Sequence, residues 1–269
     1  DWGWRIPFVV SVLLIGLSMY VQLRLEDTPA FKELLATRPE PTLEAGEALK
    51  VAAARQSPVI EVLINYPRQI TLAAGAFLAV QVTFYILITF AIAYGTNAEI
   101  GLGLPRETML WAVLIGSLTQ LPALFWASAY SDRHGRRGIY MLGAALLGIW
   151  SFFIFPLMDT GSFALITLAI IVGQLLVGMM YGPQAAMLAE LFSTHVRYSG
   201  ASLGYQLGAI LGGGFAPIVA TALLAAFNST LGVSIYISLA CVLTLLSVFL
   251  LRETHKTDLT QVKATQPAP

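Results

Sequence analysis

Polar side chains interrupt four otherwise apolar stretches of the sequence, where they could hold a ligand through hydrogen bonds. They are amides, phenols and hydroxyls, which are neutral at pH 7 and can both donate and accept hydrogen bonds. Where the spacing is three, four or seven residues, the side chains fall on one face of a helix. Hydrogen bonds between helices could explain any one stretch, but four of them favour a polar cavity. The members are Gln81, Tyr85 and Thr89; Thr119 and Gln120; Gln174, Tyr181 and Gln184; and Tyr205 and Gln206.

Charged residues make up only 11% of the 269 positions, and two clusters of them stand out. The heptapeptide SDRHGRR occupies positions 131–137, and AELFSTHVRYSG occupies positions 189–200. A basic cluster could bind nucleic acid or acidic lipid head groups, or could simply fix the orientation of the chain in a membrane. Gly135 permits a tight turn between the two adjacent apolar runs, which would hold the charges in a fixed place.

We expect the two clusters to form one network of charges on the same rim of the protein. Asp132 could cap a helix or accept hydrogen bonds from guanidinium groups. Glu190 is expected to lie between Arg133 or Arg136 on one side and Arg197 on the other.

Enzymatic and metal-binding alternatives receive little support. GASLG at 200–204 matches the GxSxG motif, which would make Ser202 the nucleophile of a hydrolase. That motif needs a strand before the turn, and an acid and a histidine afterwards, whereas only His255 follows it. His134, His195 and His255 lack the spacing of metal ligands, and no GxxxxGK[ST] nucleotide motif occurs. We therefore predict no enzyme, no metal site and no cofactor.

The elements that must position these residues are membrane-spanning helices. Hydrophobic residues make up 57% of the chain, well above the roughly 45 to 50% of soluble domains. A spanning helix needs about 20 predominantly apolar residues. Seven segments meet this requirement, so we predict an all-α integral membrane protein. Their limits are 6–24, 69–94, 108–130, 139–158, 163–190, 201–226 and 232–251.

The distribution of basic residues predicts how these spans are oriented. If consecutive spans alternate in direction, 13 of the 15 Lys and Arg residues fall on one side, and only Arg5 and Arg106 on the other. The positive-inside rule makes the richer side cytoplasmic. The C-terminus is then inside, and the first residue is outside.

One long connector separates the first span from the other six, and we interpret it as a cytoplasmic linker at 26–67. It contains two helix starts, in which a hydroxyl residue precedes proline: Thr28 with Pro29, and Ser57 with Pro58. These starts predict short surface helices.

The sixth predicted span carries four glycines at four-residue spacing, Gly200, Gly204, Gly208 and Gly212. This spacing stacks them on one helix face. Small residues let helix backbones approach closely in lipid, so we expect this face to pack against another helix.

These residues together resemble the major facilitator superfamily, and within it the metabolite:proton symporter family. SDRHGRR resembles the G-x-x-x-D-R-x-G-R-R loop motif, with Ser128 in place of the leading glycine. The resemblance is also carried by GWRIPF, RLEDTPAF, LRET and the long segment from MYGPQ to GGFAP, with Ser193 where proline is common. The loop-motif matches are Asp132, Arg133, Gly135, Arg136 and Arg137.

The resemblance implies a transporter of twelve spans in two six-helix bundles, of which this chain would be the C-terminal portion. Residues 1–25 would be the last helix of the N-terminal bundle, 26–67 the linker, 68–252 the C-terminal bundle and 253–269 a cytoplasmic tail. The missing N-terminal bundle would then be a partner, together with the lipid bilayer of a bacterial inner membrane. Nucleic acid is not an expected partner.

The implied function is proton-coupled symport of a small polar or anionic metabolite by alternating access. Examples are a dicarboxylate or tricarboxylate, a shikimate-like acid, or betaine or proline. No charged residue lies near the middle of a predicted span, so the proton-carrying group is expected in the missing bundle. A membrane sensor with the same fold is the alternative. The substrate contacts we expect are Gln81, Tyr85, Gln120, Tyr181, Gln184 and Gln206.

The resemblance also implies a role for the charged loop motif, which would hold the two bundles together on the cytoplasmic side while the transporter is open outward. Asp132 would meet a helix of the missing bundle. Arg133 would pair with Glu190 and Arg197 within its own bundle.

Overall fold

The computed structural model describes residues 2–25, 58–192 and 196–251, and all regular structure in these ranges is helical. The chain divides into two compact units, Asp1–Lys50 and Val51–Pro269. In the first unit a 3₁₀ turn, Gly3–Arg5, leads into helix α1, Ile6–Arg24. Pro7 lies in the first turn of α1, where its missing N–H would have no helical partner in any case.

The second unit contains nine α-helices, counted within the described residues. Two π-helical segments join helices end to end: Ile86–Phe90 connects α3 to α4, and Ala209–Gly214 connects α8 to α9. The helices are α2 Pro58–Asn65, α3 Pro67–Tyr85, α4 Ala91–Thr96, α5 Arg106–His134, α6 Arg136–Met158, α7 Phe163–Leu191, α8 Arg197–Gly208, α9 Ala216–Phe227 and α10 Leu231–Leu250.

Seven helices of the described part are long and apolar enough to cross a membrane. They are α1, the continuous helix Pro67–Thr96, α5, α6, α7, the continuous helix Arg197–Phe227, and α10. The prediction of an all-helical membrane protein with seven spans is confirmed. Several predictions fall outside the described residues, namely most of the linker at 26–67 with its helix start at Thr28 and Pro29, the position of Ser57, the departure at Ser193, and the tail at 253–269. The second predicted start is Pro58, and it is the first residue of α2.

The second π-helical segment packs against α3 at the residue just before the first π-helical segment begins. A Cβ atom added to Gly213 would lie only 2.6 Å from Cε2 of Tyr85, so the absence of a side chain there lets the ring approach. Tyr85 is the last residue of α3 before the first π-helical segment, and Gly213 belongs to the second. Wide turns of this kind are rare and often mark functional sites.

Hydrogen bonds from side chains tie α3 to the two helices packed behind it. The Tyr140 hydroxyl of α6 donates to the Ala76 carbonyl at 2.8 Å. The Thr244 hydroxyl of α10 donates to the Gly75 carbonyl at 2.8 Å and accepts from the Ala79 N–H at 3.0 Å. Because residues 75 and 79 are one helical turn apart, the Thr244 oxygen sits beside a backbone hydrogen-bond pair of α3. These bonds stabilise the packing of α3 at the centre of the apolar core.

At the end of the bundle opposite Gly135, a phenol and a carboxylate form a hydrogen bond between two helices. The Tyr94 hydroxyl of α4 donates to Oδ1 of Asp159, just after α6, at 2.6 Å. The Tyr94 ring also packs edge-on against Phe155 and stacks with Phe90. The short helix beyond the first π-helical segment is therefore attached to the end of α6.

Candidate functional site

Arg136 and Glu190 form the centre of a charge network at the Gly135 end of the bundle. Arg136 Nε donates to both oxygens of Glu190 at 2.9 and 3.0 Å, and Nη2 lies 2.8 Å from Oε1. The two side chains are only 12% and 13% exposed. Such charge-assisted, fork-like bonds are among the stronger polar contacts in proteins. The pair fixes the start of α6 against the end of α7.

Asp132 joins the same network from the solvent side. Arg136 Nη1 donates to Oδ1 of Asp132 at 2.8 Å and to the Ser131 hydroxyl at 3.3 Å. The Asp132 side chain is 63% exposed. Acceptance of guanidinium hydrogen bonds, one of the two roles considered for Asp132, is therefore seen in the structure.

The turn at Gly135 explains why Arg136 occupies the central position. Gly135 has a φ of +99°, a conformation that residues with a side chain rarely adopt, and it joins α5 directly to α6. Arg136 begins α6 and faces Glu190, whereas Arg133 belongs to the last turn of α5 and is exposed. Of the two arginines considered as partners of Glu190, the structure thus shows Arg136 in contact with it. The pairing of Arg133 with Glu190 implied by the resemblance stays a prediction. A bridge from Glu190 to Arg197, the first residue of α8, remains a prediction.

Arg137 has a role that the sequence did not indicate. Its Nε donates to the Val248 carbonyl at 3.1 Å, and its Nη2 donates to the Phe249 carbonyl at 2.7 Å. These carbonyls belong to the last turn of α10, whose final carbonyls have no partner within the helix. The guanidinium group therefore caps α10 and ties it to the start of α6. The one available signal was the general preference of cations for the C-terminal end of a helix.

The glycine face of the sixth span packs against α3 through residues that share its spacing. Cβ atoms added to Gly204, Gly208 and Gly212 would lie 2.7, 2.6 and 2.8 Å from the Cβ atoms of three α3 residues. Those residues are Ala73, Phe77 and Gln81, again four apart. Gly200 differs, because its nearest neighbour is the ring of Phe192 after α7.

Three helices contribute aromatic groups to one cluster beside this crossing. The Tyr205 ring of α8 packs edge-on against Phe77 of α3, with centroids 5.1 Å apart. The phenol groups of Tyr181 of α7 and Tyr205 lie close enough to interact. Tyr181 is 41% exposed, so this cluster presents polar groups to an open surface. Tyr205 was in the predicted polar stretches but not among the expected substrate contacts.

The other expected substrate contacts differ in burial and in their neighbours. Gln81 is buried against Gly212, and Tyr85 is 38% exposed beside Gly213. Gln120 of α5 lies near Gly178 of α7, Gln184 is buried on α7, and Gln206 is exposed on α8.

The remaining alternatives find no support within the described residues. Ser202 lies in the middle of α8, so no strand precedes the GxSxG sequence. No group of three or more His, Cys, Asp or Glu that could hold a metal occurs in the described part of the chain. His195 and His255 lie outside it. A surface groove between α6 and α10 is lined mainly by apolar residues such as Ala144, Ile149 and Val242, which do not suit a polar ligand.

Comparison with known proteins places this architecture in a family. The family model for the Major Facilitator Superfamily matches residues 101–268. The inner membrane metabolite transport protein YhjE of Escherichia coli (strain K12) is 33% identical over 265 residues, covering 96% of this chain and 56% of the relative. The shikimate transporter of the same strain is 31% identical over 261 residues, covering 95% of this chain and 56% of the relative.

A more distant relative has a different substrate in its name. The proline/betaine transporter of Escherichia coli (strain K12) is 26% identical over 268 residues, covering 100% of this chain and 51% of the relative. The chain thus spans about half the length of the relatives it matches. These relatives agree with the narrower resemblance to metabolite symporters. With seven helices able to span a membrane and a family match over more than half its length, the chain belongs to the Major Facilitator Superfamily, a family of transporters and not of enzymes.

Proposed function

We propose that the chain forms part of a proton-coupled secondary transporter, a symporter that carries a small polar or anionic metabolite by alternating access. The observation that carries this proposal is the approach of two phenol groups from different helices, Tyr181 and Tyr205, near an open surface. Gln81 lies buried at the neighbouring glycine crossing. Family membership supplies the class of activity, and the neutral amides and phenols supply hydrogen bonds to a polar cargo.

The substrate contacts of this proposal are six neutral residues. They cannot balance a charge on the cargo, so a carboxylate or ammonium group must be met by residues of a second bundle. The group that carries the coupled proton is expected there as well, because it must titrate within the membrane. The six residues are Gln81, Tyr85, Gln120, Tyr181, Gln184 and Gln206.

The length relative to the known transporters supports a proposed division of the chain. Residues 1–25 would complete an N-terminal bundle, 26–67 would link the bundles, 68–252 would form the C-terminal bundle and 253–269 a tail. The complete transporter would then bind its substrate between two bundles at the midplane. The orientation we propose has the C-terminus in the cytoplasm of a bacterial cell and residue 1 outside the inner membrane, since 13 of 15 basic residues then lie inside.

The charge network is proposed to act as a latch on the cytoplasmic side. Its inner part, Arg136 with Glu190, stays within this bundle and is shielded from solvent. Its outer part, Asp132, is exposed and available to the N-terminal bundle in the outward-open state. Opening inward would break contacts made by Asp132 and leave the Arg136–Glu190 pair intact.

Counterflow in proteoliposomes tests the proposal against the sensor alternative. Vesicles containing the complete protein are loaded with unlabelled metabolite, and entry of labelled metabolite is followed without any imposed gradient of ions. A transporter exchanges the label, and the initial rate saturates with substrate. Saturable binding without exchange, for every metabolite that binds, would support the sensor instead.

A further inference from the structure

Gln174 of α7 is a wholly buried amide without a hydrogen-bond partner. Both Nε2 and Oε1 lack a partner among the described residues. An unpaired buried polar group costs about 1–3 kcal/mol, so a core position of this kind normally carries an apolar side chain. The amide is therefore able to pair with a ligand that reaches it in another state of the protein.

The depth of Gln174 is that expected of a substrate contact. Helix α7 runs from Phe163 to Leu191, so its midpoint is residue 177, and Gln174 lies ~4.5 Å from it along the axis. The buried Gln184 amide also lacks a partner, but it lies ~10 Å from the midpoint towards the Gly135 end. Secondary transporters bind their substrates near the midplane of the bilayer.

Gln174 shares a helix face with Tyr181 of the tyrosine cluster. Residues seven apart are almost two helical turns apart, so Gln174 and Tyr181 share one face of α7. Tyr181 on this face is exposed and approaches Tyr205. Between them Gly178 lies close to α5, since an added Cβ would be 3.0 Å from the Gln120 carbonyl oxygen. On this face of α7, Gln174 is therefore at the buried end and Tyr181 is at the exposed end.

We propose that Gln174 determines substrate specificity by binding a hydroxyl group of the cargo, and that the cargo is a hydroxylated metabolite. This inference rests on the proposed transport function. A hydroxyl can donate to Oε1 and accept from Nε2, so it satisfies both unpaired atoms of the amide. A fully N-methylated betaine has acceptor oxygens only and leaves Oε1 unpaired. The Gln174 amide contacts the cargo in the state of alternating access in which its end of the α7 face is no longer buried.

A matched pair of compounds tests the role of the hydroxyl groups. Competition for counterflow is measured in the complete protein with shikimate, with cyclohex-1-ene-1-carboxylate, which has the same ring and carboxylate but no hydroxyl, and with glycine betaine. We expect shikimate to compete at least tenfold better than either of the others, because a site that hydrogen-bonds a hydroxyl strongly rejects analogues that lack it. Preference for glycine betaine or for the analogue would overturn the inference.

Substitution then tests Gln174 itself. Gln174→Leu should weaken competition by shikimate about tenfold or more and leave competition by the analogue unchanged. Gln174→Met provides a second variant of similar shape if the leucine protein does not fold. Thr167→Val is the control, because Thr167 is buried on the same helix but its hydroxyl donates to the Phe163 carbonyl at 2.7 Å. It should keep the wild-type preference.

The outcomes separate this inference from the function on which it rests. Wild-type protein that exchanges shikimate, together with Gln174 variants that keep the preference over the analogue, would overturn the role of Gln174 and leave transport standing. If Gln174→Leu unfolds at a higher temperature and shikimate still competes as well as in the wild type, the amide is an unpaired buried group without a role in binding. Wild-type protein that exchanges none of the metabolites it binds would overturn the transport proposal itself.

Discussion

Arg136 and Glu190 lie 54 positions apart in the sequence and are joined by three N···O contacts of 2.8 to 3.0 Å. The pair connects the first turn of α6 to the last turn of α7. Because both side chains are largely shielded from water, the pair is a stronger contact than an exposed ion pair. Arg136 of this pair also binds the exposed Asp132.

Glu190→Gln should destabilise the bundle. The substitution leaves the Arg136 guanidinium with weaker, neutral acceptors, which we expect to lower the free energy of unfolding by about 1–3 kcal/mol. The measurement is the thermal unfolding midpoint of the complete protein in detergent. Arg133→Gln is the matched control, because Arg133 is exposed and makes no ion pair with the described residues, and it should change stability by less than about 0.5 kcal/mol. Equal effects of the two substitutions would contradict the assignment of Arg136 as the partner of Glu190.

Asp132→Asn should alter gating more than stability. The carboxylate is exposed, so loss of its bond to Arg136 should cost no more than about 1 kcal/mol. If Asp132 also contacts the N-terminal bundle in the outward-open state, the variant should shift the population towards inward-open and slow uptake. Labelling of single cysteines placed on the two sides of the complete protein reports this population. Unchanged labelling and unchanged uptake would remove Asp132 from the latch.

Gly208→Ala should disrupt the crossing of α8 with α3. The added Cβ would lie 2.6 Å from Cβ of Phe77 and 3.0 Å from the Ala74 carbonyl oxygen, so the two helices must separate. Overpacking of this kind costs about 1–3 kcal/mol, and it should lower both the unfolding midpoint and the transport rate. Gly214→Ala is the control, because nothing lies within 4 Å of its added Cβ. A Gly208→Ala protein as stable and active as Gly214→Ala would contradict close packing at this face.

Thr244→Val should weaken the attachment of α10 to α3. Valine has nearly the shape of threonine but cannot donate to Gly75 or accept from Ala79. Hydrogen bonds between membrane helices average about 0.6 kcal/mol each, so we expect the loss of two to cost about 1 kcal/mol. Thr221→Val removes a hydroxyl that donates only to the Pro217 carbonyl of its own helix, and it should have little effect. Identical unfolding midpoints for the two variants would argue against the interhelical bond.

The sequence was sufficient to predict the spans, because a membrane helix must satisfy its backbone within one long apolar run. The predicted limits differ from the observed ones where a helix continues into polar residues. The third span was predicted at 108–130, but α5 continues to His134, because the helix ends where Gly135 turns and not where the apolar residues end. The π-helical segments were not predictable from local sequence. Ile86–Phe90 contains neither glycine nor proline, and its wide turn lies beside a glycine of a distant span.

The candidate site was predictable in its chemistry and less so in its geometry. Tyr181 and Tyr205 were both recognised as polar residues in apolar runs, and the fold brings them together. Gln206 follows Tyr205 directly, yet it points elsewhere and is exposed, because neighbouring residues on a helix are about 100° apart. Glu190 contacts Arg136, which follows the Gly135 turn, and residue type alone does not distinguish Arg136 from Arg133, which precedes the turn. Long-range packing decides such details.

Concentrative uptake driven by a pH gradient tests the central claim most directly. Proteoliposomes containing the complete protein are given an acidic exterior and a neutral interior, with the same low concentration of labelled metabolite on both sides. A proton symporter will accumulate the metabolite above its external concentration, and a protonophore will abolish the accumulation. Uptake that only equilibrates the label, at a rate that ignores the pH gradient, would contradict proton-coupled transport.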